Sequence, residues 1–176
     1  MSNIKKNYVS LNSRYFHIVG ISVLIVLFYI IQNIVGFYLG FIESEGSWQF
    51  FCGVFLLIII HEGSHMMALL VCGENFGNIK FGFSKKWLAP YCHASSMVRL
   101  RTYRLFLIFP LLITGPMAIL ILFFYPTKWL VFLTAMTFSG CTADVWLFFK
   151  LWSMDGNLFA QDSASELGVE LFERDV

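Results

Sequence analysis

Trp48 to Cys72 reads WQFFCGVFLLIIIHEGSHMMALLVC. The run is long and apolar enough to cross a bilayer as one helix. Yet His61, Glu62 and His65 fall within it as His61-Glu62-Gly63-Ser64-His65. Hydrocarbon penalises ionisable side chains, so this cluster needs a chemical reason. On a helix the H-E-x-x-H spacing puts two imidazoles on one face, at i and i+4. Two such nitrogens suit one zinc ion, and the glutamate between them is placed to accept a proton from water.

The rest of the chain fits a membrane setting. Of its 176 residues, 58% are hydrophobic and only 13% charged, against about a quarter charged in soluble domains. The mean hydropathy is +0.72. No basic block is interleaved with aromatics, so nucleic acid is not an expected partner. Cys52, Cys72, Cys92 and Cys141 form no C-x-x-C pair, which excludes a zinc ribbon. Length and pattern point to a single domain over residues 1–176.

Three further spans follow from hydropathy. The first covers about 16–42 and reads as a retained signal anchor, because it is too long for a cleaved h-region. Within it Gln32 and Asn33 are expected to face other helices, and His17 to sit at the interface. Glu43 to Gly46 form an acidic turn before the second span, 48–72, which Gly73 ends. The third span, 105–126, contains Pro110 and Gly115-Pro116. The fourth, 128–152, contains the small-residue stretch Ser139 to Asp144, suited to close helix packing. The polar segment before residue 16 and the acidic tail 153–176 carry no span. The loop from Gly73 to Tyr103 has an alternating stretch, Asn78 to Phe83. It is expected to pair with Tyr91 to Leu100 as a small hairpin. The expected fold class is thus an all-α integral membrane protein, with four transmembrane helices and one β-hairpin between the second and third. A short strand or hairpin is also read between Phe159 and Phe172.

Positive residues mark the cytoplasmic side. Lys5, Lys6 and Arg14 place the N-terminus there. Lys80, Lys85, Lys86, Arg99, Arg101 and Arg104 place the long loop there, and four spans return the tail to the same side. At 1.5 Å per residue, His65 lies about 10 Å and His61 about 16 Å from that end, and Asp144 about 9 to 12 Å. Glu62 and Asp144 are the acidic residues within the spans, and a buried carboxylate needs a cation or a donor. His61, His65 and Asp144 are therefore the expected zinc ligands, with water in the open position. Glu62 is the expected general base. Asp155, Cys141 and His93 are the rival third ligands. A non-catalytic zinc-binding or partner-binding membrane protein, or an ion carrier using Glu62 and Asp144, would carry the same polar residues.

His61-Glu62-x-x-His65, Pro110, Gly140 to Asp144, and the tail residues Asp162, Gly168 and Glu170-Leu171-Phe172 resemble a bacterial family of putative zincin peptidases, as does Ile79 to Phe83. The resemblance covers about residues 50–173. That group is similar to the site-2 proteases, intramembrane zinc enzymes with a third ligand, an aspartate, on a later transmembrane helix; Asp144 matches it. The aspartate–glycine pair of those enzymes is not intact, since Val145 follows Asp144. The resemblance implies a zinc metalloprotease in a bacterial cell membrane, acting on membrane protein or peptide substrates.

Overall fold

A computed structural model describes residues 4–10, 13–42, 47–84, 89–162 and 168–173. The element order is β1 (Ile4–Ser10), α1 (Ser13–Tyr38), α2 (Ser47–Val71), a short 3-10 turn (Phe76–Asn78), β2 (Ile79–Ser84), β3 (Ala89–Ala94), β4 (Val98–Arg99), α3 (Leu100–Phe124), α4 (Lys128–Gly140), α5 (Thr142–Trp152), β5 (Phe159–Asp162) and β6 (Gly168–Glu173). Glu43 to Gly46, Lys85 and Lys86 lie outside the described residues.

Among the described residues, four helical segments are long and apolar enough to cross a membrane: Tyr15–Tyr38, Trp48–Val71, Leu100–Phe124 and Lys128–Trp152. At 1.5 Å per residue each is about 36 Å long, enough for a hydrocarbon core of about 30 Å. Their outward side chains are apolar and exposed, as with Ile21, Ile25, Phe55, Leu120 and Phe149. Exposed aromatics sit at the helix ends. Tyr15 and Trp152 mark one end of the bundle, and Tyr38, Trp48 and Tyr125 the other, the placement of an aromatic belt. The third span starts at Leu100, five residues earlier than expected, and takes in Arg101 and Arg104. The fourth is interrupted at Cys141 and continues as α5.

The all-α expectation is wrong. Among the described residues, two antiparallel sheets accompany the helices, one of order β1-β6-β5-β4 and one pairing β2 with β3. The hairpin was expected to use Tyr91 to Leu100. It uses Ala89 to Ala94 instead, in the register Ile79↔Ala94 to Ser84↔Ala89. Val98 and Arg99 leave it to pair with Ala160 and Phe159. The tail does form a hairpin, β5 with β6. The N-terminal segment, read as a polar lead-in, is a strand running from Ile4↔Glu173 to Ser10↔Gly168. Local pattern hides this strand because its partner lies at the other end of the chain.

The four-stranded sheet gathers the start of α1, the start of α3 and the end of α5 at one end of the bundle. At the other end, the Ile42 N–H donates to the Pro126 carbonyl and joins the two short connections. The larger core is at the sheet end. It packs Ala68, Leu69, Leu107 and Leu151 from the helices against Ala94, Ala160, Val169 and Leu171 from the strands. The helix ends there are closed by specific bonds. Gly73, at φ +90°, ends α2 while Glu74 N–H reaches back to Leu69 O, a left-handed cap that suits glycine. Arg104 donates from Nε and its terminal nitrogen to Leu151 O, and also to Met154 O, so α3 caps the last turn of α5.

Within the spans, several hydroxyls bond to their own helix: Ser64 to Ile60 O, Thr114 to Pro110 O and Thr137 to Leu133 O. Asn33 does the same with Tyr29 O and stays exposed, contrary to the interhelical role expected of it. An amide that pairs with its own backbone needs no neighbour. The small-residue stretch acts through Ser139, whose hydroxyl donates to Gly20 O at 2.7 Å. A Cβ on Gly140 would meet nothing within 4 Å.

Two predictions follow from the sheet. A Cβ on Gly168 would fall 2.3 Å from the Val9 carbonyl oxygen, a backbone clash worth about 1–3 kcal/mol. Gly168→Ala is expected to lower the unfolding midpoint in detergent, while Gly140→Ala does not; equal midpoints would contradict this packing. The Tyr103 hydroxyl donates to Asp162, and burial pushes the Asp162 carboxyl above its usual range despite that bond. The folded state therefore holds this proton more tightly than the unfolded chain does. The contribution is complete below the usual carboxylate range and is lost as pH rises through the folded value. Asp162→Asn keeps the acceptor and removes the titration. Its stability relative to wild type should rise as pH climbs above the usual carboxylate range of about 4, and parallel stability curves would contradict the assignment.

Candidate metal centre

α2 carries His61, Glu62 and His65 through the middle of its apolar run. One helical turn separates the two imidazoles, so both emerge on one face, with ring centroids 5.0 Å apart and planes at 82°. The opposing carboxylate is Asp144. It lies in the first turn of α5, after the interruption at Cys141. A helix N-terminus is the favourable end for a negative group.

The three side chains converge. Asp144 Oδ2 lies 3.4 Å from His61 Nε2 and 3.6 Å from His65 Nε2. One ligand atom from each residue lies within 4.8 Å of the others. Charge-assisted hydrogen bonds are shorter, about 2.7–2.9 Å. Two donors each about 2.1 Å from a shared tetrahedral ion would stand about 3.4 Å apart. The spacing and the donor set, two imidazoles and a carboxylate, therefore fit a zinc ion.

The surroundings fit it too. His65 Nδ1 lies 2.9 Å from the Phe106 carbonyl oxygen on α3. A carbonyl can only accept, so Nδ1 carries the proton and Nε2 presents its lone pair to the Asp144 side. That is the outer bond a metal-ligating histidine ordinarily makes. The Phe106 ring packs on the same imidazole at 4.3 Å between centroids. The Glu62 carboxyl stands beside the cluster and takes a hydrogen bond from the Cys92 backbone on β3. Its Oε2 is buried with no partner among the described residues. An orphaned carboxylate oxygen at this point is suited to a water held next to the ion.

The rival ligands stand elsewhere. The Cys141 sulfur lies 3.9 Å from His61 Nδ1, behind the ring rather than at Nε2. His93 is on β3, its ring tilted against Tyr91. The Asp155 carboxylate accepts from the Asn157 N–H in the turn after α5. Burial first, then the nearby Glu62 and Asp162 charges, push the Cys92 thiol up to about 12. It therefore stays protonated and is a poor ligand. Sequence reasoning missed the Phe106 carbonyl and the Cys92 backbone. Both act through the main chain, where the identity of the side chain gives no signal.

The sequence model of one family, described as "Putative zincin peptidase", matches residues 54–159. The match takes in His61, Glu62, His65 and Asp144; β1, β6 and the tail residues from Asp162 onward lie outside it. No curated protein and no solved structure matches the chain. With more than half of its length matched and the ligand group inside the match, the chain belongs to the putative zincin peptidase family.

Proposed function

We propose that this protein is a zinc-dependent intramembrane endopeptidase that cuts membrane-associated proteins or peptides near the cytoplasmic face. The observation that carries the reading is the convergence of His61 Nε2, His65 Nε2 and Asp144 Oδ2 beside Glu62, within apolar helices. His61, His65 and Asp144 would hold the ion. When bound, zinc polarises the scissile carbonyl and makes water more acidic.

The chain's own residues do the rest. Glu62, with its Oε2 unpaired, accepts a proton from water as the water oxygen attacks the carbonyl carbon. It then returns that proton to the amine nitrogen as the C–N bond breaks. The Phe106 carbonyl keeps the His65 ring fixed through these steps. Asp144 offsets the positive charge in a low-dielectric setting, where an unpaired charge is costly.

A substrate helix must unwind before its backbone can lie at the site, and a strand edge can hold it extended. The two strands of the small sheet, β2 and β3, both offer such an edge. The strand whose backbone reaches Glu62 is β3, through Cys92, so β3 is the better placed of the two. The β1-β6-β5-β4 sheet joins both terminal segments to the loop between α2 and α3. That arrangement supports a topology with both termini on the side of the site, taken as cytoplasmic from the loop charges.

Purified protein should hold about one zinc per chain. His61→Ala and His65→Ala should each weaken binding more than 100-fold, as read by competition with a chelator. A wild-type chain that binds no zinc, or variants that bind it equally well, would refute the metal centre. Glu62→Gln should keep zinc and lower cleavage by a factor of about 10² to 10⁴. Comparing membrane proteomes of wild-type and Glu62→Gln cells measures this. Identical proteomes, with zinc still bound to the wild-type protein, would favour a non-catalytic zinc-binding module instead.

A further inference from the structure

We infer that Pro110, remote in sequence from the ligands, is a positioning residue that sets the tautomer and orientation of His65. The inference rests on reading His61, His65 and Asp144 as a metal centre.

Proline has no N–H, so inside a helix it leaves the carbonyl four residues earlier without its usual partner. Pro110 lies within α3 and is fully buried. The carbonyl it releases is that of Phe106. In a membrane span no bulk water is available to satisfy that oxygen, so a neighbouring helix, a hydroxyl or a local change in the helix takes its place. The group that does so is His65 Nδ1 on α2, at 2.9 Å. His65 is only 5% exposed, so no solvent competes for the bond. The released carbonyl and the metal-ligating imidazole thus satisfy each other. The bond holds the proton on Nδ1 and leaves Nε2 free, 3.6 Å from Asp144 Oδ2.

The carbonyl of Pro110 itself accepts from the Thr114 hydroxyl at 2.7 Å. The second proline of the helix is a built-in contrast. Pro116 releases the carbonyl of Leu112, an exposed residue on the outer face. An alanine at 110 would restore an N–H aimed at Phe106 O, in direct competition with His65. An alanine at 116 would do the same for Leu112, away from the site.

The test uses full-length protein in detergent. Pro110→Ala is expected to weaken zinc binding 10–100-fold, the usual cost of losing an outer-shell partner, without lowering the unfolding midpoint of the metal-free protein. Pro116→Ala is expected to leave zinc affinity unchanged. In metal-free wild type, nitrogen-15 NMR of the His65 ring should show the proton on Nδ1, and in Pro110→Ala a mixture of tautomers. Zinc binding and a tautomer equal to wild type in Pro110→Ala would overturn the inference. So would a metal-free wild-type ring that carries a proton on Nε2 and none on Nδ1, a result that needs no variant to fold. A wild type that binds no zinc would refute the metal centre instead, and the metal-free tautomer would still decide the role of Pro110.

Discussion

Asp144 puts a carboxylate inside an apolar span, between two imidazoles, 3.4 and 3.6 Å from their nitrogens. Burying one such ion costs several kcal/mol even after the protein relaxes. Neutral imidazoles offset little of that cost, whereas a divalent ion offsets most of it. The cluster therefore demands that α2 and α5 stay locked at one relative depth. A slip of a single residue along either helix moves a ligand by about 1.5 Å, enough to break a coordination sphere that tolerates about 0.2 Å.

The rest of the fold meets that demand from the sheet end. Arg104 ties α3 to the last carbonyls of α5, and Phe106, a short way along the same helix, holds His65 of α2. α3 is thus the common reference for both halves of the ligand set. The strands add the outer restraint. β4 leads directly into α3, β5 follows α5, and the two pair with each other. The core beneath them, from Leu69 to Leu151 and Leu171, is the larger of the two clusters. By contrast α1 is mostly exposed along its length. The buried packing and the hydrogen bonds between helices are thus gathered around α3 and the ligands, as a site needing sub-ångström placement requires.

Much of the site was legible because hydrocarbon makes ionisable residues rare. His61, Glu62, His65 and Asp144 stood out against their apolar neighbours, and helix rise alone brought them to matching depth. The ion they would hold and the cut they would make are proposals built on that geometry. The fold was less legible. Apolar length marked the four spans to within a few residues at most ends. Of the sheet that joins the chain's two ends, the hairpin between Phe159 and Phe172 was legible, but β1 was not, because it pairs with β6 across nearly the whole sequence. In the strand from Ile4 to Ser10, Val9 packs against the core, a weak local signature. The hairpin was found with the wrong partner boundary, since Val98 and Arg99 serve the other sheet. Main-chain groups at the site, Phe106 O and the Cys92 backbone, leave no mark in side-chain chemistry.

The most direct measurement is zinc X-ray absorption spectroscopy on the purified, metal-loaded protein. The account predicts two imidazoles and oxygen donors at about 2.0–2.2 Å with no sulfur, and loss of one oxygen donor in Asp144→Ala. A sulfur shell at about 2.3 Å would move the third ligand to a cysteine. Absence of imidazole scattering would remove His61 and His65 from the centre altogether.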